Sequence, residues 1–345
     1  MAYPQIAAFA RLANGDVGPV RSMAGQPTQI SRAGHNVVYD PVYDEVWHTN
    51  PEAQALLAFR GAANGEEAPV RIIQGPHTMM AFPNYGVGVD AVNNEVYVVE
   101  KEYITVYPRL AKGDVAPTRI IRGPDTGLQN ARAILVDTTR NLLLVGTNNG
   151  IVIFDRTASG NAKPRAILAG PQSGVRATRS LPVNAAGTLS DAEKEAFRSG
   201  NTGSAVQSMD MSKKYFVLLV GGGGGGDDEG GGGGGAGRGA GGGGAGGNGA
   251  ARGQQDPGAA ADAARGAGGG GGGRGGRGPG GGPGGVCAWS MDDLAAATGK
   301  VDLSPAYVLS DPSGALGGRV TLNPNQKEVI IGQNKLTSYS FPEIF

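Results

Sequence analysis

The chain has 345 residues, 63 of them Gly, 21 Pro and a single Cys, and its 30 Lys plus Arg are balanced by 30 Asp plus Glu. Zero net charge removes any global attraction to nucleic acid or to an anionic membrane, and the lone Cys287 precludes an internal disulfide, so oxidising and reducing compartments both stay open. No run is long and apolar enough to span a bilayer, and the opening Met-Ala-Tyr-Pro-Gln lacks the basic and apolar regions of an export signal; the expectation is a cytoplasmic protein, or an exported one whose signal has been removed.

Four near-identical phrases recur at close to fifty residues: Ala13-Asn-Gly-Asp-Val-Gly-Pro-Val-Arg21, Ala63-Asn-Gly-Glu-Glu-Ala-Pro-Val-Arg71, Ala111-Lys-Gly-Asp-Val-Ala-Pro-Thr-Arg119 and Ala158-Ser-Gly-Asn-Ala-Lys-Pro-Arg165. An aromatic precedes each, at Phe9, Phe59, Tyr107 and Phe154, and Trp289 and Tyr339 continue the series. Between phrases lie two apolar runs joined by turn residues. The first runs end at Asp40, Asp90, Asp137, Asp210 and Asn323, and the second include Glu95-Val-Tyr-Val-Val99, Asn141-Leu-Leu-Leu-Val145 and Tyr215-Phe-Val-Leu-Leu-Val220. Such pairs read as antiparallel hairpins. One unit is therefore four strands, a to d, and a recurring four-stranded unit is a propeller blade that buries its faces by stacking on its neighbours.

The fold class is all-β, a β-propeller of four-stranded antiparallel blades in a single domain over 1–345. The literal count is five blades, from five a–b hairpins, five d strands and six c strands, with six blades as the alternative. The chain begins and ends on a c strand, so the last a and b strands are expected to join the first d strand. Either c strand can complete that blade.

The a-strand ends at Asp40, Asp90, Asp137, Asp210 and Asn323 are first 50 and 47 residues apart, then 73 and 113, which marks insertions of roughly 25 and 65 residues. The first, 175–204, carries Ser190-Asp-Ala-Glu193, a capping-box pattern that predicts a short helix. The second, 221–285, is a low-complexity Gly-rich stretch with too little apolar surface to offset ordering entropy, and it is expected to be disordered. The d–a and b–c links of a meander leave on the same face, so both insertions decorate one mouth of the channel, where propellers hold ligands on loops around a rigid ring.

Polar residues expected at that mouth are His35, Asn50, His77, Tyr85, Glu100, Arg132, Asn148 and Asn334, the candidate ligand-binding set. Glu100, Asn148 and Asn334 are the weak candidates for holding a hard cation, which prefers carboxylate and amide oxygens. The acidic series at 40, 90, 137 and 210 reads as hairpin caps on the opposite face, since Asp caps its own turn backbone. Arg21, Arg71, Arg119 and Arg165 read as staples between blade edges. No catalytic nucleophile signature, zinc spacing or cofactor motif is found. Arg274-Gly-Gly-Arg277-Gly is similar to an RNA-binding box, but segment 221–285 has no aromatic for base stacking and its Arg are offset by acids.

The unit typified by Asp90 through Gly123 resembles the NHL and YVTN-type repeats of bacterial, lactonase-like propellers. The resemblance covers the chain apart from the two insertions. It implies a propeller, and for function either a binding protein or an enzyme; lactonases among similar propellers use a Glu-Asn-Asn-Asp metal set, of which this chain offers Glu and Asn members without the Asp. The first expectation is a non-catalytic interaction scaffold binding a protein, peptide or glycan at the insertion-bearing face, with no cofactor. A metal-dependent hydrolase of the lactonase kind is the second, and RNA binding through the Arg-Gly segment the third.

Overall fold

Leu142-Leu-Leu-Val145 is apolar at every position because both faces of its strand are covered: Leu142 and Leu144 pack towards one neighbouring sheet, Leu143 and Val145 towards the other. This two-sided burial organises the molecule. The structure, a computed structural model, describes residues 4–32, 34–175, 206, 208–220, 285–310, 316, 318–332 and 336–345. The described residues belong to one compact unit, formed by 1–225 and 279–345.

An antiparallel pair, β1 (Gln5–Ala8) and β2 (Arg21–Ala24), opens the chain. Blade I is the meander β3 (Val37–Asp40), β4 (Glu45–Asn50), β5 (Ala55–Arg60), β6 (Arg71–Gln74). Blade II is β7 (Asn84–Asp90), β8 (Glu95–Glu100), β9 (Tyr103–Pro108), β10 (Arg119–Arg122), and blade III is β11 (Ala133–Asp137), β12 (Leu142–Thr147), β13 (Gly150–Asp155), β14 (Ala166–Leu168). Blade IV takes β15 (Met209–Met211), β16 (Tyr215–Val220) and β17 (Gly285–Ser290); after a helix, α1 (Met291–Ala296), and a short strand, β18 (Gly299–Val301), it is completed by β19 (Tyr307–Leu309). The three-stranded sheet β20 (Arg319–Asn323), β21 (Glu328–Gly332), β22 (Leu336–Ser340) and the β1–β2 pair share the closing blade. The architecture is an all-β propeller ring of five blades.

Five apolar cores sit at the five blade junctions. Met23 packs with Leu57 and Phe59, Trp47 with Val96 and Val98, Tyr97 with Leu143 and Phe154, Leu144 with Phe216 and Trp289, and Val217 with Val329 and Ile344. Full burial of side chains of this size stabilises by about 1.5–3 kcal/mol each. Every blade thus needs both neighbours, the reason for the repeat.

The recurring Ala-x-Gly phrase has a structural role that the sequence reading did not assign. Its glycine turns left-handed, with φ 65° at Gly65, 76° at Gly113, 63° at Gly160 and 68° at Gly299, and presents its backbone to the outermost strand of the preceding blade. Met23 bridges in parallel to Gly65, Ile73 to Gly113 and Ile121 to Gly160, and β14 pairs with β18 beginning at Gly299. The last member is a fifth phrase, Ala297-Thr-Gly299, displaced from the repeat by α1. That helix was not anticipated, although Ser290 accepts a capping bond from Asp293 N–H and the Ser-Met-Asp-Asp spacing advertises it.

The closing blade resolves which c strand is displaced. β22 pairs with β21, with Val329 opposite Tyr339, and β1 pairs with β2 alone. Phe9 is accordingly 46% exposed, whereas its counterparts Phe59, Tyr107 and Phe154 are buried. The acidic series behaves as turn caps at Asp40, Asp90 and Asp137, which accept from Val42, Asn93 and Thr139 N–H. Asp210 differs. Its Oδ2 accepts from Thr321 Oγ1 and Leu322 N in the closing blade, each at 2.8 Å, because the β15–β16 turn is short and β20 lies alongside. The helix expected over 190–197 and the Gly-rich stretch 221–284 lie outside the described residues.

Candidate functional site

The d–a links and b–c turns share one end of the blades. There, His35, Tyr85 and Arg132 occupy the same station in blades I, II and III, five residues before Asp40, Asp90 and Asp137. They form a continuous row. The His35 and Tyr85 rings stack with centroids 4.9 Å apart and planes 7° from parallel, and the Arg132 guanidinium carbon lies 4.2 Å from the Tyr85 ring centre.

Backbone contacts hold the row. His35 Nδ1 bonds to Asn84 O at 2.9 Å, Thr49 Oγ1 donates to Tyr85 O at 2.9 Å, and Arg319 Nη1 donates to His35 O at 2.9 Å. A register shift between Asn84 and Val87 bulges β7 beside Tyr85. Gly86 sits in that bulge, and a Cβ there would lie 2.8 Å from Arg132 O, so the close approach of blades II and III requires glycine. On the far side of Arg132, Nε donates to Asn130 Oδ1 at 3.4 Å and Asn130 Nδ2 donates to Asn148 Oδ1 at 3.1 Å.

A second polar group lies beneath, between blades I and II. Glu100 is fully buried on the face of β8 that also carries Val96 and Val98 against blade I. It therefore points into a blade junction and away from the channel axis. Burial pushes its carboxyl up to about 8, offset only by one bond from Ala81 N–H at 3.2 Å. Asn84 pairs with Glu100 across β7–β8 and donates to Ala55 O at 3.3 Å. Asn50 is buried and donates to Gln29 O at 2.7 Å. His48, bonded to Asn36 O at 3.1 Å, is pushed down to about 4 by burial and is neutral at pH 7.

The structure thus brings together His35, Tyr85, Arg132 and Asn148 of the expected set, with Asn50 and Glu100 in the junctions behind them. It places His77 elsewhere: His77 follows the outermost strand of blade I, is exposed, and pairs with Asp114 of blade II at 2.6 Å. Asn334 lies outside the described residues. Asn84, His48, Asn130 and Arg319 join the mouth without having been singled out from sequence. Counting back a fixed distance from each hairpin Asp finds the row; nothing local in the sequence marks the rest. Among the described residues no group of three or more His, Cys, Asp or Glu is gathered as a metal site. The Arg274–Arg277 segment lies outside them.

No family model matches the chain, and no curated protein matches it. Among solved structures it is similar to the hydrazine synthase of Kuenenia stuttgartiensis, at 8% identity over 55% of this chain and 43% of that one, with a TM-score of 0.35. It is also similar to the β-propeller domain of Myceliophteria thermophila Cps50 (Swd1), at 9% identity over 37% of this chain and 38% of that one, with a TM-score of 0.28. The chain spans less than half the length of either. The five-bladed architecture stands on the strand pairing itself.

Proposed function

We propose that this propeller, with repeats of the NHL or YVTN type, is a non-catalytic interaction module that binds a protein, peptide or glycan at the insertion-bearing mouth. The observation that carries the reading is the His35–Tyr85–Arg132 row. Three successive blades devote equivalent positions to a pinned row at this mouth, in which half-buried His35 and Arg132 flank a Tyr85 that is itself only 6% exposed, and Arg side chains seated on aromatic rings are common anchors of recognition surfaces. The test is face-selective photo-crosslinking in cells. A photoreactive residue replacing Glu102, in the exposed β8–β9 turn at this mouth, is expected to give discrete adducts. The same residue replacing Val92, exposed in the β7–β8 turn on the opposite face, is expected to give none. Equal adducts from both faces would overturn the assignment.

The second reading is a metal-dependent hydrolase. The observation in its favour is that Asn50 Oδ1, Asn84 Oδ1 and Glu100 Oε1 are buried oxygens without a partner among the described residues. Glu100 is the one carboxylate in this group, and a hard cation is held tightly only where several charged oxygens converge. The interaction reading is therefore preferred.

A further inference from the structure

We infer that Arg132 is the anchor of the mouth and takes a carboxylate, supplied by an acidic side chain or chain end of a peptide partner. The inference rests on the reading above that this mouth is the binding face.

Among the described residues, seven arginines are buried or half-buried: Arg21, Arg71, Arg109, Arg119, Arg132, Arg140 and Arg156. Six are matched to an anionic or carbonyl oxygen. Arg21 donates to Gly61 O, Arg71 and Arg109 share Glu45, Arg119 and Arg156 share Glu95, and Arg140 pairs with Asp137. Arg132 is the exception. Among the described residues its hydrogen bonding is limited to the long contact from Nε to Asn130 at 3.4 Å, and no hydrogen bond or ion pair engages either terminal nitrogen. Five of those six are held by a carboxylate and Arg21 by a backbone carbonyl. Arg132 is held by the Tyr85 face, and the paired donors of the fork are left over.

A guanidinium presents parallel N–H groups at the spacing of carboxylate oxygens, and such a pair is stronger than a neutral hydrogen bond. Prior fixation of the guanidinium over Tyr85 reduces the entropy lost on docking. One arginine supplies one positive charge, which matches a carboxylate; a phosphate dianion calls for more. Glu100, neutral near pH 7 and facing blade I, does not compete.

The experiment measures anisotropy of fluorescein-labelled hexaglutamate, with labelled hexalysine and unlabelled inorganic phosphate as controls. Saturable binding of hexaglutamate and none of hexalysine are expected. Arg132→Gln is expected to weaken binding at least tenfold. Arg132→Lys, which keeps the charge and loses the fork, is expected to weaken it several-fold at an unchanged melting temperature. Undiminished binding by Arg132→Gln, full recovery with Arg132→Lys, or absence of hexaglutamate binding would each overturn the inference. Displacement by phosphate at concentrations where glutarate fails would reassign the site to phosphate groups and overturn it as well. Adducts at position 102 that persist unchanged in Arg132→Gln would sink this inference and leave the binding-face reading standing; loss of face selectivity would sink that reading itself.

Discussion

Asn84 faces Glu100 across the β7–β8 pair, and each side chain carries a buried oxygen with no partner among the described residues. Burial without a positive partner raises the Glu100 carboxyl to about 8, and its protonated form would add a donor beside the Asn84 amide.

This arrangement predicts an unusual pH profile. Glu100 binds its proton up to about 8 when folded against an ordinary value of 4.5, while buried His48 falls to about 4 from 6.5. Between 4.5 and 6.5 the folded chain holds the extra proton on Glu100 and the unfolded chain holds one on His48, so their contributions cancel. From 6.5 to 8 only the folded chain holds the extra proton, and stability falls with rising pH by about 2 kcal/mol. Glu100→Gln uncovers the His48 limb, whose own contribution rises by about 3 kcal/mol from pH 4 to 6.5 and is then level, opposed at the acid end by buried Asp210, whose carboxyl is also raised. Denaturant titrations across this range check it. A Glu100→Gln protein that still weakens between pH 6.5 and 8 would assign the fall to another group.

Cations separate the two functional readings. Binding to the folded state alone raises stability with ligand concentration. Millimolar Ca²⁺, Mg²⁺ or Zn²⁺ is expected to leave the melting temperature unchanged, a chelator to have no effect, and simple lactones to be hydrolysed only at background rate. A rise with one cation that Glu100→Ala abolishes would favour the hydrolase.

Asp210 fastens blade IV to the closing blade. Asp210→Ala strands the hydroxyl of Thr321 and the N–H of Leu322, two donors now 2.8 Å from its carboxylate. Thr321 is exposed and its hydroxyl can turn to water, so the cost falls mainly on the half-buried Leu322 N–H, and leaving such a donor unmatched costs about 1–3 kcal/mol when it is fully buried. Expected outcomes are a loss of about 1–2 kcal/mol and faster amide exchange at Leu322 before other β20 positions. Unchanged exchange at Leu322 would show that the staple is dispensable.

The C-terminal strand is equally exposed to test. Removing 336–345 deletes β22 and the buried Phe341 and Ile344, which complete the core between blade IV and the closing blade. Large apolar truncations cost about 2–5 kcal/mol per side chain, so a marked fall in melting temperature is expected. Full stability after the deletion would mean that β1 can take the place beside β21, burying Phe9.

Much of this fold is legible in the chain because its signals are local and repeated. Asp-capped turns, alternating runs and the Pro-x-Arg phrase each recur at fixed offsets, and together they specify strands, order and blade count. The Ala-x-Gly phrase was visible as a repeat, but its partner is the preceding blade, and no spacing within one unit reveals a contact between units. Blade IV hid its copy because α1 shifts Gly299 away from the expected period. At the mouth, His35, Tyr85 and Arg132 were found as polar residues near strand starts, but their stacking depends on the bulge at Asn84–Val87, which leaves no mark on sequence. Glu100 misled for a simple reason: blades present strand faces to one another, so a side chain late in strand b faces a junction as readily as a channel.

The outer pairing through Gly65, Gly113, Gly160 and Gly299 runs in one direction, each blade's last strand being finished by the blade after it. At the fifth junction Gly15 already holds the same left-handed turn, φ 79°, yet no backbone bond joins it to β19, and Tyr307 and Val308 stand exposed there. Mechanically the ring is a collar with four clasps fastened and one undone. A pull across any fastened junction is shared between core and rim; between blade IV and the closing blade, among the described residues, it falls on the apolar core and on inner bonds such as those of Asp210 and Ser208, with no outer-strand pairing to share it.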